Sequence, residues 1–212
     1  MIGDQIALNE RYLQPAVRVL EGITVQKGYV INVAGESGSG KSTLAVALQH
    51  VLKEQSIKAV VLHMDDYFIL PPATNHAKRE SDINWVGPGE VRLDLLQHHI
   101  DQFKAGYKTI NKPLVDYVAN QILEEKLDLS DVEVLIVEGT YTSLLQVDKS
   151  IFLERTYVDT FADRVKRARD PITPFVEQVL EIEHRIISAQ GQGAAITIDK
   201  NFGIKFRNSS TY

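Results

Sequence analysis

Short continuous apolar runs alternate along the chain with segments whose apolar residues recur every three to four positions. Residues 29–34 (YVINVA) read as a buried strand, and after them Leu44, Ala47, Leu48, Val51 and Leu52 share one helical face. Further strands are expected at 59–62, 132–137, near 151–158 and at 195–198. Helical stripes run through Leu13, Val17 and Leu20, through Leu93, Leu96, Ile100 and Phe103 up to Gly106, and through Phe175, Val179, Ile182 and Ile186. Thr173 is placed to cap the last of these, with Pro174 at its first helical position. Strands alternating with helices predict an α/β fold of three layers, with a mainly parallel central sheet and ligands gathered at the carboxyl ends of its strands. Between Tyr67 and Gly89 there is no periodicity, only Pro71-Pro72, mixed charge and Gly87-Pro88-Gly89. A connection of that length inside a compact domain is usually functional or disordered.

One segment carries a specific chemistry. Gly35-Glu36-Ser37-Gly38-Ser39-Gly40-Lys41-Ser42 fits G-x-x-x-x-G-K-[ST] and stands between the first strand and the helix that follows it. Glycines there let backbone N–H groups close around a phosphate chain, and the helix N-terminus adds partial positive charge to the same anion. Lys41 would reach the β- and γ-phosphates of ATP, the Ser42 hydroxyl would ligate Mg²⁺, and Thr43 completes the nucleotide-binding segment.

Composition narrows the class. A chain of 212 residues with 44% hydrophobic content predicts one domain over 1–212 with a small helical lid. A net charge of −5 argues against nucleic acid as the main partner. The absence of cysteine excludes disulfides and thiolate chemistry, and no apolar stretch approaches the ~20 residues of a membrane span. The N-terminal segment is too polar for a signal sequence, so the expectation is a cytoplasmic enzyme whose partners are ATP and a small-molecule substrate, without nucleic acid or membrane. A homo-oligomer is compatible with this.

The other strand ends separate the phosphate-loop chemistries. A GTPase would show N-K-x-D, and Asn111-Lys112-Pro113-Leu114 lacks the aspartate and reads as a loop. Asp65 or Asp66, at the end of a strand taken as adjacent to the phosphate-loop strand, could be the base that activates an acceptor hydroxyl, and since paired acids repel, one of them could serve the metal. Both could instead be solvated turn carboxylates. Glu138, after the run VLIV, could hold a Mg²⁺-bound water. Arg164, Arg167 and Arg169, with Lys166, form either cations that close over the transferred phosphoryl group or a solvated basic face. Trp85 could stack on a planar ligand or plug a loop. The histidines show no metal spacing, His184-Arg185 read as surface, and Gln190-Gly191-Gln192-Gly193 ends a helix.

These residues together resemble the P-loop kinases of the uridine kinase and phosphoribulokinase family, including nicotinamide riboside kinases. The resemblance spans nearly the whole chain and rests on residues 35–43, Met64-Asp65-Asp66-Tyr67-Phe68, Pro113 with Asp116-Tyr117, Val137-Glu138-Gly139, and the stretch from Val158-Asp159-Thr160 to Arg169-Asp170. It implies Asp65 as base, Glu138 near the metal, and Arg164, Arg167 and Arg169 in a lid over about 161–175. An ATP-dependent, Mg²⁺-assisted kinase of a small metabolite, first of all a nucleoside, is the expected activity; a nicotinamide riboside or other small-molecule kinase, a P-loop NTPase whose acceptor is water or a protein, and a nucleotide-binding regulator without transfer are the alternatives. The acceptor segment, about 65–92, departs from the uridine kinase pattern: Val86 stands where an aspartate holds the ribose diol, and Val115 and Asn120 replace an aromatic residue and a histidine. Candidates for acceptor binding are Asp65, Tyr67, Trp85, Glu90, Arg92, Asp116 and Tyr117.

Overall fold

The computed structural model describes residues 2, 6–167 and 173–207. α1 (Leu13–Glu21), β1 (Tyr29–Gly35), α2 (Lys41–Glu54) and β2 (Ala59–His63) follow the expected order. Next come α3 (Pro72–Ser81), α4 (Leu93–Lys104), an antiparallel hairpin of β3 (Thr109–Asp116) and β4 (Gln121–Asp128), then β5 (Val134–Gly139) and β6 (Lys149–Leu153). α5 (Phe161–Arg167), α6 (Pro174–Ile187), β7 (Ile196–Ile198) and β8 (Ile204–Phe206) complete the described chain. The main sheet runs β2-β5-β1-β6-β7-β8 and is parallel except for β8, which pairs antiparallel with β7.

Pleating sends alternate residues of β1 to opposite faces, so Ile31 and Val33 pack with α1 and α2 while Val30 packs with α4. Both faces are covered, which is why β5 is buried at every position. Asn32 is the polar exception within β1. Its amide donates to the Thr142 carbonyl at 2.7 Å and its oxygen accepts from the Ile151 N–H at 3.2 Å, so burial leaves neither end unpaired. The N-cap of α6 forms as expected, the Thr173 hydroxyl accepting from the Val176 N–H at 3.2 Å.

Four local expectations differ. α3 occupies part of the segment read as aperiodic, because its face (PATNHAKRES) buries only Asn75 and so carries no apolar stripe; Pro72 at its start was the available signal. Asn111-Lys112-Pro113-Leu114 is not a loop but the middle of β3, where Pro113 is tolerated because the hairpin is a separate two-stranded sheet with an open edge. The fourth strand stops at Leu153 rather than near 158, and β5 lies between β2 and β1, so the strand carrying Asp65 is not the phosphate-loop strand's neighbour. Among the described residues no helix is long and apolar enough to cross a membrane.

His99 on α4 is buried, with the Tyr67 hydroxyl 2.8 Å from its Nδ1. Burial, aided by the charges of His98 and Lys112, pushes it down from 6.5 to about 4. The fold thus keeps His99 neutral at pH values where the unfolded chain binds a proton, so its contribution is complete above pH 6.5 and is lost as pH falls toward 4. His99→Gln is expected to flatten that acid limb in thermal melts compared with the wild type; parallel limbs would refute the assignment.

Candidate active site

The phosphate loop leaves β1 at Gly35 and enters α2 at Lys41. Two glycines are needed for reasons of space as well as angle. Gly38 has φ +79°, and a Cβ there would lie 2.9 Å from the Arg164 side chain; Gly40 has φ +102°, and a Cβ would meet the Tyr12 hydroxyl. The loop is therefore held between the turn before α1 and the helix α5. Lys41 curls back, its ammonium donating to the Glu36 carbonyl at 2.9 Å. The Glu36 carboxylate points the other way, accepting from the Tyr157 N–H at 2.6 Å and meeting His184 Nδ1 at 2.6 Å. His184, partly exposed as the surface reading expected, also fastens α6 to the loop, a contact no sequence spacing announces.

Parallel pairing sets Val33 of β1, Glu138 of β5 and His63 of β2 level with one another. Gly139, with φ +159°, has no room for a Cβ because the Met64 Cβ would lie 2.3 Å away, and this close approach brings the β2 and β5 ends together. His63 Nδ1 lies 2.7 Å from the Glu138 carboxylate. Burial works against ionising Glu138, yet the hydrogen bond and charge of His63, the charge of Lys41 and the Ser42 hydroxyl together hold its carboxyl below the usual range. A hard carboxylate beside a serine hydroxyl at the mouth of a phosphate loop fits Mg²⁺, which takes few protein ligands and fills its octahedron with water and phosphate oxygens. No group of three or more acidic, histidine or cysteine side chains able to cage an ion occurs among the described residues.

One cavity of about 540 Å³ gathers Lys41, Ser42, Asp65, Glu138, Arg164 and Tyr117, together with Ser37, Gly38, Gly40 and Thr43. Gly35, Glu36 and Ser39 lie beneath it as the frame of the loop. Arg164 reaches the Tyr157 carbonyl at 3.2 Å and Glu177 of α6 at 2.9 Å, while its Nε is buried without a hydrogen-bond partner among the described residues. Arg155, which the sequence reading passed over, lines the same wall and reaches Tyr12 and Asp163. Arg169 lies outside the described residues, as does much of the 161–175 lid, and of Arg167 only its place in α5 is described.

Several expected metal- and acceptor-site residues are not brought to this cavity. Asp66 is turned into the hairpin, its oxygens taking the Lys112 ammonium at 3.1 Å and the Val115 N–H at 2.9 Å, which argues against the metal role. Tyr67 is fully buried on His99, Arg92 is exposed, and Asp116 accepts from the Val118 and Ala119 N–H groups to shape the hairpin turn. Glu90 is buried and saturated: Arg79 grips it at 2.7 Å through both Nε and a terminal nitrogen, and Asn75 and the Gly87 N–H supply two more bonds. Trp85 donates to Asn75 at 2.8 Å and so braces α3 instead of facing a ligand. In their place the cavity is walled by Asn75 and Arg79 of α3, Tyr141 after β5 and Glu183 of α6. Glu183 had a readable signal, since Val176, Leu180, Glu183 and Ile187 make a helical stripe with an acid in it.

The profile of the Phosphoribulokinase / Uridine kinase family matches residues 30–167. A bifunctional alpha-galactosidase/sucrose kinase, AgaSK, of Mediterraneibacter gnavus is 29% identical over 187 residues, covering 81% of this chain and 20% of that protein. The uridine kinase of Ureaplasma urealyticum serovar 10 is 30% identical over 134 residues, 63% of each chain. The phosphoribulokinase from Rhodobacter spheroides superposes with a TM-score of 0.59 at 15% identity, over 81% of this chain and 69% of that one. The chain thus spans less than two thirds of either sequence relative.

The Lys112–Asp66 pair is buried, with side chains 6% and 1% exposed, and holds the hairpin to the turn that bears Asp65. Lys112→Met, which takes the cation away from the buried Asp66 carboxylate and from Glu125, is expected to lower the unfolding free energy by about 3–5 kcal/mol in urea denaturation. A loss below about 1 kcal/mol would mean that the pair contributes no more than a surface bridge.

Proposed function

The chain belongs to the phosphoribulokinase and uridine kinase family, and we infer that it is an ATP-dependent kinase that transfers the γ-phosphoryl group to a hydroxyl of a small metabolite. The observation that carries this reading is the convergence in one cavity of a phosphate loop, an acid at a strand end and a buried arginine with a nitrogen unpartnered among the described residues. A nucleotide regulator needs the first of these; phosphoryl transfer needs all three.

In this reading the loop N–H groups and Lys41 hold the β- and γ-phosphates. Asp65 takes the proton of the acceptor hydroxyl as its oxygen forms the new bond to phosphorus and the bond to the ADP oxygen breaks. Arg164, stacked over Gly38, covers the equatorial oxygens and displaces water that would compete as acceptor. Mg²⁺, when bound through Ser42 and Glu138, supplies neutralising charge to the same phosphates. The single domain 1–212, with a lid around 161–175 and an acceptor wall drawn from 65–92 and beyond, is part of the proposal.

The uridine kinase relatives support a nucleoside as acceptor. A sugar hydroxyl is the second reading, favoured by two observations. The match to the sucrose kinase protein covers 81% of the chain against 63% for the uridine kinase. Val86, standing where the ribose-binding aspartate would be, is buried away from the cavity.

Lys41→Ala is expected to weaken ATP binding at least tenfold in a titration, and Asp65→Asn to retain ATP affinity while losing about 10² to 10⁴ in kcat, the range for a general base. Near-normal turnover in Asp65→Asn, with acceptor-dependent ADP release as readout, would remove Asp65 from the role.

A further inference from the structure

Two polar side chains on the far wall of the cavity each keep a buried oxygen that the described fold does not use. Glu183 of α6 and Tyr141, just after β5, both line the cavity that holds Lys41 and Asp65. Both are buried, at 7% and 1% exposure. The Glu183 Oε2 and the Tyr141 hydroxyl each have no hydrogen-bond partner among the described residues. Native interiors rarely leave such atoms unmatched, because each gives up its bonds to water and receives nothing in exchange.

The two are chemically complementary. A phenol can donate and a carboxylate can accept, so together they suit a ligand that offers a hydroxyl hydrogen and a neighbouring oxygen. They are also close in charge terms: Glu183 is among the groups that push the Tyr141 hydroxyl up, after burial. The cation paired with Glu183, Arg79, is already committed, gripping Glu90 twice at 2.7 Å and lying 3.5 Å from the other oxygen of Glu183. An acceptor that carried its own carboxylate or phosphate would meet Glu183 and Asp65 here with Arg79 already engaged.

We propose, building on the kinase reading above, that Glu183 and Tyr141 bind the phosphate acceptor, the carboxylate taking a hydrogen bond from one hydroxyl and the phenol donating to an adjacent oxygen, and that the acceptor is therefore an uncharged polyhydroxyl compound. The remaining groups near Glu183 set its titration. Burial first, then Glu90 and Asp65, raise it, while Arg79 and Lys41 oppose, and it comes to about 7. Acceptor binding should accordingly weaken as pH drops below that value, where the accepting carboxylate takes up a proton.

The test is ADP release by the full chain from ATP with Mg²⁺, against uncharged uridine, sucrose and fructose and against anionic D-glycerate, pantothenate and ribulose 5-phosphate, for wild type, Glu183→Gln and Tyr141→Phe. Expected is turnover with an uncharged member, an acceptor KM at least tenfold higher in each variant with the ATP KM unmoved, and loss in Glu183→Gln of the rise in acceptor KM below about pH 7. Should Glu183→Gln fail to fold, Tyr141→Phe, which removes one oxygen and no volume elsewhere, carries the test. Turnover confined to the anionic acceptors, or an unchanged acceptor KM in the variants, overturns this inference and leaves the kinase reading standing. ADP release that needs no small acceptor, or none with any of the six, overturns both.

Discussion

The parallel register of β2, β5 and β1 is the constraint on which the cavity depends. Parallel neighbours in a twisted sheet end together, so pairing Val33 with Glu138 and Glu138 with His63 places a loop, an acid and a turn at one edge without any further device. Gly139 makes that edge tight enough, since any side chain there would push Met64, and with it the turn bearing Asp65, away from β5. The apolar packing of α1 and α2 on one face and α4 on the other then holds the register, because a slip by one residue would turn every buried side chain of β1 and β5 the wrong way.

Around this edge, polar pairs fasten the peripheral elements alongside their apolar packing. Glu36 with His184 ties α6 to the phosphate loop, Asp66 with Lys112 ties the β3–β4 hairpin to the β2 turn, and Glu90 with Arg79 ties α3 to the segment before α4. Such pairs contribute little net stability, since desolvation offsets most of their attraction, but they are specific in distance and direction. They suit walls that must be positioned around a ligand. They also explain why acids that look alike in the sequence differ in role: Asp65 faces the cavity, while its neighbour Asp66 and the equally acidic Glu90 are consumed in holding it open.

Much of the fold was legible in the pattern of the chain. The strands through 29–34, 59–62, 132–137 and 195–198 and the helices after Lys41, at Leu93 and at Pro174 all form where their periodicity put them. α3 and the hairpin escaped because their stability is polar or cross-strand, so neither leaves a one-sided apolar stripe. Lys41, Ser42, Glu138 and Arg164 line one cavity together with Asp65. On the acceptor side, the candidates near the motif in sequence, Trp85, Glu90, Arg92 and Asp116, turned out to shape the wall or the surface.

The difference has a physical origin. A phosphate loop is made by eight consecutive residues whose backbone does the binding, so the chain alone specifies it, and with it the α/β architecture that such a loop requires. The wall facing the loop is assembled from Asn75, Arg79, Tyr141 and Glu183, which come from three separated stretches of the chain and meet only because a parallel sheet and two helices converge there. Which of those side chains is spent on a neighbour and which still has a bond to offer depends on packing, and only the tertiary structure decides it.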